Sequence, residues 1–162
     1  MIITTLTEAD WKRAKDIRLR ALNDTPDAFG STLEREQQFT EADWRQRLAL
    51  KDRATFVAED AGQDVGLAVC APFEGLPDTA GLFSMWTAPE ARRKGIGGSL
   101  ISAVIAWAQD RGYGAIALDV ADQNAAAIAA YARFGFQATG DVGTLPPPRT
   151  HIKEHRRRLV LR

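Results

Sequence analysis

The residues whose order most directly suggests chemistry run from Pro89 to Ser99: Pro-Glu-Ala-Arg-Arg-Lys-Gly-Ile-Gly-Gly-Ser. A β-prone run, Gly81 to Thr87, precedes them. Ile96, Leu100, Val104 and Trp107 follow at three- and four-residue spacing, which predicts an amphipathic helix starting beside Gly95 and stopping at Gly112. The first N–H groups of a helix have no partner within it and lie at the positive end of its dipole, so they can bind an anion. Gly95, Gly97 and Gly98 would let a phosphate approach the backbone across the turn that Ile96 and Ser99 share. Arg92, Arg93 and Lys94 add positive charge at the rim, which suits a pyrophosphate better than a single carboxylate. The segment therefore predicts a phosphate-bearing cofactor, with a merely solvated helix start as the alternative reading. Two familiar phosphate loops do not fit. A dinucleotide fingerprint needs Gly or Ala where Leu100 stands, and a P-loop needs its lysine after the glycines, whereas Lys94 comes before them.

A second pair of polar residues, Asn124 and Tyr131, lies seven positions apart in an alanine-rich helical segment, so both fall on one helix face and could point into one cleft. Asn124 could equally cap its helix, and Tyr131 could be a core aromatic. No cluster of His, Cys, Asp and Glu has the spacing of a metal site. Cys70, the only cysteine, excludes an intramolecular disulfide and reads as a small buried hydrophobe within an apolar run. The four tryptophans, Trp11, Trp44, Trp86 and Trp107, read as core or as pocket lining.

The elements that must carry these residues can be read in order. Ile2 to Leu6 predicts a strand, and Thr7 with Asp10 marks the start of a helix carrying Trp11, Ala14, Ile17 and Leu22. The turn-rich segment Asn23 to Ser31 leads into a helical region from Leu33 to Leu50, restarted at Thr40. Arg53 to Glu59 and Asp64 to Ala71 flank turn formers and predict a hairpin, followed by the Gly81 to Thr87 strand. After the Ile96 helix come a strand, Ala115 to Val120, a helix, Asn124 to Phe134, closed by Gly135, and strand from Phe136 onward. The Leu145 to Arg149 segment, Leu-Pro-Pro-Pro-Arg, interrupts it before a last strand near Ile152 to Leu161. This is a mixed α/β (α+β) pattern with a largely antiparallel sheet, and residues 1–162 are expected to form one domain.

Composition narrows the partner. Lys plus Arg and Asp plus Glu number 21 each, so overall charge does not favour nucleic acid or an anionic membrane. Arg156, Arg157 and Arg158 make the C-terminus locally basic, which a solvated strand face accounts for. There is no long apolar run to span a membrane and no apolar leader at the N-terminus, so a cytoplasmic protein is expected.

In this setting Arg92-x-x-Gly95-x-Gly97, followed by Asn124, Ala127, Tyr131, Gly135 and Phe136, resembles the two signatures of the GNAT (GCN5-related N-acetyltransferase) superfamily, over about Leu82 to Phe136. The resemblance implies a central sheet of roughly six or seven strands flanked by about four helices. It also implies acetyl-CoA as co-substrate, no metal, and N-acetyltransferase activity, an acyltransferase moving an acetyl group to a primary amine by direct attack in a ternary complex. If the pyrophosphate sits on the Gly95 to Ser99 turn, the cofactor's arm can run along the strand ending at Thr87 as an added strand would, lined by Met85 and Thr87. A backbone N–H of Trp86 or Thr87 would then face the thioester carbonyl. Tyr131 becomes the candidate acid, since a phenol near 10 stays protonated at neutral pH beside a departing thiolate of pKa about 8.5, and Asn124 could hold the amide-rich arm. Glu34, Glu36 and His151 are candidate bases. Asp24, Asp27, Glu34 and Glu36 beside Phe29 would suit a cationic amine, a polyamine, an antibiotic amine or a peptide N-terminus. A non-catalytic acyl-CoA binding module, an acyltransferase for longer chains, and a homodimer built on the C-terminal strands all stay open.

Overall fold

The computed structural model describes every residue from Met1 to Arg162. Its helices begin where the sequence offers caps. The Thr7 N–H donates to Asp10 Oδ2 at 2.8 Å, opening a short 3₁₀ turn that runs into α1, Trp11–Asp24. The second helical region is two helices, α2 (Leu33–Gln37) and α3 (Glu41–Ala49), and a reciprocal capping box restarts the chain. Thr40 N–H donates to Asp43 Oδ2 at 2.8 Å, and Asp43 N–H to Thr40 Oγ1 at 3.2 Å. The later helices are α4 (Ile96–Asp110) and α5 (Ala125–Arg133). No helix is long and apolar enough to cross a membrane.

Seven strands form one sheet: β1 (Ile2–Thr5), β2 (Ala54–Asp60), β3 (Gln63–Pro72), β4 (Thr79–Thr87), β5 (Ala115–Ala121), β6 (Gln137–Thr144) and β7 (Lys153–Val160), in the order β1-β2-β3-β4-β5-β7-β6. Every pairing is antiparallel except β4 with β5, which run parallel. That parallel pairing covers only Thr79↔Ala115, Ala80↔Ile116 and Gly81↔Ala117. Past it, β4 stays paired with β3 and β5 stays paired with β7, so the two strands part and leave a wedge-shaped opening mid-sheet. A bulge in β4 accompanies the parting: the register with β3 shifts between Leu67 and Val69, and Ser84 takes a left-handed φ of 58°.

Helices α1 to α3 cover one face of the sheet and α4 covers the other. Residues 66, 68 and 70 of β3 turn toward α4 while 67, 69 and 71 turn toward α1 and α3, the alternation that buries both sides of a central strand. Gly66 sets how closely α4 sits, since a Cβ there would lie 2.8 Å from Leu100 Cδ1 and 2.9 Å from Ile96 Cγ2. One continuous apolar cluster joins Ile17 and Leu22 of α1, Val57 and Leu67 of the sheet, and Leu100 and Val104 of α4. Each such side chain contributes about 1.5–3 kcal/mol on burial. The sequence places a turn at Asn23, yet α1 runs on through Asp24, because the Asp24 carboxylate is held from across the sheet by Trp86 and Arg92. Cys70 is wholly buried, and desolvation pushes its thiol up to about 12, so it is inert packing.

Candidate functional site

The loop from β4 into α4 turns tightly enough to gather backbone donors. Arg93 and Gly95 both take left-handed φ values, 65° and 82°, with Gly95 as the residue before the first helical turn. The first N–H of the segment to find an acceptor is that of Ser99, which donates to the Gly95 carbonyl at 3.1 Å, so the N–H groups of residues 93 to 98 have no acceptor within the chain. Two walls stand over them. A Cβ on Gly97 would lie 3.3 Å from Met85 Cε and 3.8 Å from Thr87 Oγ1, and one on Gly98 would lie 3.5 Å from the Phe134 ring. The result is a concave nest of free donors at a helix N-terminus, suited to phosphate oxygens.

The cationic residues of the loop divide their work. Arg93 and Lys94 are exposed beside the nest. Arg92 is engaged elsewhere: its Nε donates to the Thr87 carbonyl at 3.0 Å and its Nη2 to Asp24 Oδ2 at 2.7 Å, so it fastens the loop to β4 and α1. Asp24 Oδ2 also accepts from Thr25 Oγ1 at 2.7 Å and Trp86 Nε1 at 2.9 Å. These hydrogen bonds, with the Arg92 charge, hold its carboxyl below the usual range.

Met85 and Thr87 face the nest, and Trp86 does not. Ala88 N–H donates to the Val65 carbonyl at 2.8 Å, and by alternation the N–H of Trp86 also turns to β3 while those of Met85 and Thr87 turn to the open edge. The indole of Trp86 packs under Arg20 and binds Asp24. Of the two residues expected to offer a backbone donor to a thioester, the geometry leaves Thr87, joined by Met85.

Tyr131 is buried on α5, edge-on to Phe136 with ring centroids 5.7 Å apart. Its hydroxyl makes no hydrogen bond within the chain, and it is not among the wholly occluded side-chain atoms that lack partners. Burial pushes the phenol up, which keeps it neutral while making it a weaker acid. Asn124 caps α5, with its Oδ1 accepting from Ala127 N–H at 3.3 Å, and its amide NH₂ remains for another partner.

The opposite face of the sheet holds a cavity of about 580 Å³ between α1, α3 and strands β2 to β4, which reaches Phe83 and Ser84 beside the wedge. Two of the four acidic residues expected to greet a cationic amine are not free to do so. Glu36 is fully buried and bound by Arg18 Nε and Nη2 at 3.0 Å each and by Arg47 Nη1 at 3.1 Å. Burial alone would raise its carboxyl, but the guanidinium groups outweigh that and hold it low, which removes it as a base. Asp24 is occupied as described, and Glu34 is exposed on α2 and does not line the cavity. His151 lines a separate recess with Asp27, Asp122 and Lys153, which neither Tyr131 nor Ser84 lines. The Leu-Pro-Pro-Pro-Arg loop does reach over this face, and Arg149 donates to the carbonyls of Pro26 at 2.8 Å and Phe29 at 2.9 Å.

One residue that the sequence reading passed over is Glu154. It pairs with Ala121 in the β5–β7 register, so it shares a face with Asp119 and Arg156, whose guanidinium lies 4.7 Å above the Phe73 ring on the cavity side. Glu154 is half-buried with no hydrogen-bond donor in the chain. Burial and the nearby Asp119 push its carboxyl up, partly offset by Arg149. Nothing in the run Lys-Glu-His-Arg marks it; only strand register and the parting of β4 from β5 bring it to this face.

Comparison with known proteins agrees with this geometry. Residues 18–136 match the Acetyltransferase (GNAT) family. Human N-acetyltransferase 8 is 32% identical over 88 residues, which cover 52% of this chain and 39% of that protein, so the match spans well under half the length of such relatives. Among solved structures, the ribosomal-protein-alanine N-acetyltransferase of Brucella melitensis is 28% identical with a TM-score of 0.75, covering 99% of this chain and 100% of that one. The structure of yncA from Salmonella typhimurium with its cofactor acetyl-CoA shares the fold, with a TM-score of 0.80, 22% identity, and coverage of 100% and 94%.

Proposed function

The chain belongs to the GNAT acetyltransferase family, and from that premise we propose that it moves the acetyl group of acetyl-CoA to a primary amine by direct attack in a ternary complex. The observation that carries this reading is the nest of free N–H groups at residues 93 to 98 set beside the opening where β4 and β5 part. The residues present fit the co-substrate: the nest, with Arg93 and Lys94 at its rim, would take the pyrophosphate. The open edge of β4 at Met85 and Thr87 would pair with the amide-bearing arm, and Asn124 would offer its NH₂ to the same arm. Arg92, Ile96, Gly98 and Ser99 shape the nest rather than charge it. When bound, acetyl-CoA supplies the thioester that the amine attacks. Tyr131, neutral and unpartnered, is the group in this chain suited to return a proton to the leaving sulfur.

In this reading Glu154 takes the proton from the incoming ammonium. Its upward shift has two consequences of opposite sign. Activity should rise with pH as Glu154 ionises, whereas ionising a carboxyl whose folded pKa is raised costs stability, so its contribution to the fold is lost over the same interval. Glu154→Gln is expected to flatten the acidic limb of the kcat/KM profile and to lower its plateau about tenfold, because water can still accept the proton in an open cleft. An unchanged acidic limb would assign the proton to another acceptor.

The reading is tested first by calorimetric titration of the purified protein with acetyl-CoA, CoA and NADH. Saturable one-site binding of the first two without the third is expected, followed by thiol release with an amine. Binding without thiol release across amines of every charge type would favour a non-catalytic acyl-CoA module. A single domain acting in the cytoplasm belongs to the same proposal, supported by one sheet running through the chain and by a single, buried thiol.

A further inference from the structure

The 580 Å³ cavity on the α1–α3 face is lined by hydrogen-bond donors out of proportion to acceptors, and the imbalance identifies what it binds. Arg18, Arg47 and Arg53 contribute to its wall, and Glu74, exposed on the β3–β4 connection, is the only carboxylate there. Arg18 and Arg47 pair with a single carboxylate, Glu36, and Arg53 with Asp52 at 3.0 Å, while Glu74 makes no ion pair with any of the three. Trp44 also lines the cavity, 2% exposed, with its indole N–H buried and without any acceptor in the chain.

Arg47 and Arg53 are set back from the reaction zone, whereas Arg18 reaches it, its Nη1 donating to Ser84 Oγ at 2.5 Å. Ser84, the wall residue beside the wedge, lies opposite the stretch between Leu67 and Val69, whereas Arg53 immediately precedes Ala54, which pairs with Cys70 two strands away. Strand geometry puts them about 10 Å apart across the sheet and several more along it. The space between is apolar, walled by Leu48, Leu67, Val69 and Phe83.

Resting on the acetyl-transfer reading, we infer that the acceptor is an amine carrying a carboxylate, the two separated by an apolar segment of about dipeptide length. The amine end lies at Ser84, the apolar middle on Val69 and Phe83, and the carboxylate on Arg47 and Arg53. A polyamine or other purely cationic amine would meet guanidinium charge along this wall.

The experiment compares matched acceptors with acetyl-CoA by thiol release: para-aminomethylbenzoate against its benzamide, and glycyl-phenylalanine against its C-terminal amide. The acid of each pair is expected to exceed its amide in kcat/KM by at least about tenfold, the worth of one charge-assisted hydrogen bond. Arg47→Gln and Arg53→Gln should each raise KM for the acid far more than for the amide, and the acetyl-CoA titration checks that each variant is folded. Equal use of acid and amide, or a preference for spermidine, overturns the inference. A second measurement is independent of turnover: phenylpropionate, which has no amine, should change tryptophan fluorescence saturably in the wild type but not in Trp44→Phe, and no saturable change overturns the inference. Failure of acetyl-CoA to bind would instead overturn the transferase reading and leave the carboxylate titration standing, so the two failures are distinguishable.

Discussion

Gly97→Glu is expected to remove acetyl-CoA binding while leaving the fold at least as stable. A Cβ at this position meets the flexible end of Met85 at 3.3 Å and Thr87 Oγ1 at an ordinary 3.8 Å, so the backbone has no reason to move. A carboxylate in the first turn of α4 interacts favourably with the helix dipole, by about 0.3–1 kcal/mol. The same carboxylate would lie among the N–H groups of residues 93 to 98, where the pyrophosphate must sit. Like charges about 4 Å apart at an effective dielectric of about 20 repel by about 4 kcal/mol, roughly a thousandfold in affinity. Calorimetry and a thermal melt read the two effects separately. Normal binding by a well-folded variant would put the pyrophosphate elsewhere.

Tyr131→Phe is expected to lower kcat by about a hundredfold with little change in acetyl-CoA affinity, the lower end of what a positioned acid supplies. The variant is clean because the hydroxyl has no partner within the chain, and the ring, edge-on to Phe136, is unaltered. Loss of stability would point to a structural role, and a wild-type rate would assign the proton to water or another group. Burial pushes the phenol up, so its ionisation should add no limb to the pH profile near neutrality.

The two mutations fall on residues that local sequence made legible. Glycines beside a helix start, and two polar residues seven positions apart on one helix, are short-range patterns, and the structure sets Gly97 under Met85 and leaves the Tyr131 hydroxyl unpartnered. Caps and hairpins were legible for the same reason: Thr40 with Asp43 restarts a helix, and residues 60 to 63 turn a hairpin. The proposed acceptor side was not legible, because its charges are decided by pairing across long sequence distances. Glu36 looks like a surface glutamate until Arg18 and Arg47 close on it. Arg53 looks like a strand flank until β3 brings it beside Ala71. Glu154 looks like part of a basic tail until β7 is laid against β5. Even Arg92, correctly placed in the loop, turns out to be a fastener, since its partner Asp24 lies 68 positions away.

The short parallel pairing of β4 with β5 also bears on solubility. A strand with open N–H and C=O groups normally invites another chain to add to it, and such edges promote aggregation. Here the open edge of β4 lies inside a wedge whose far side is β5, already paired with β7. The gap narrows toward Gly81 and Ala117, so a single slender chain of amides can enter, but a strand with a second strand behind it cannot. The open edge of β4 is thereby kept from the protein's own copies.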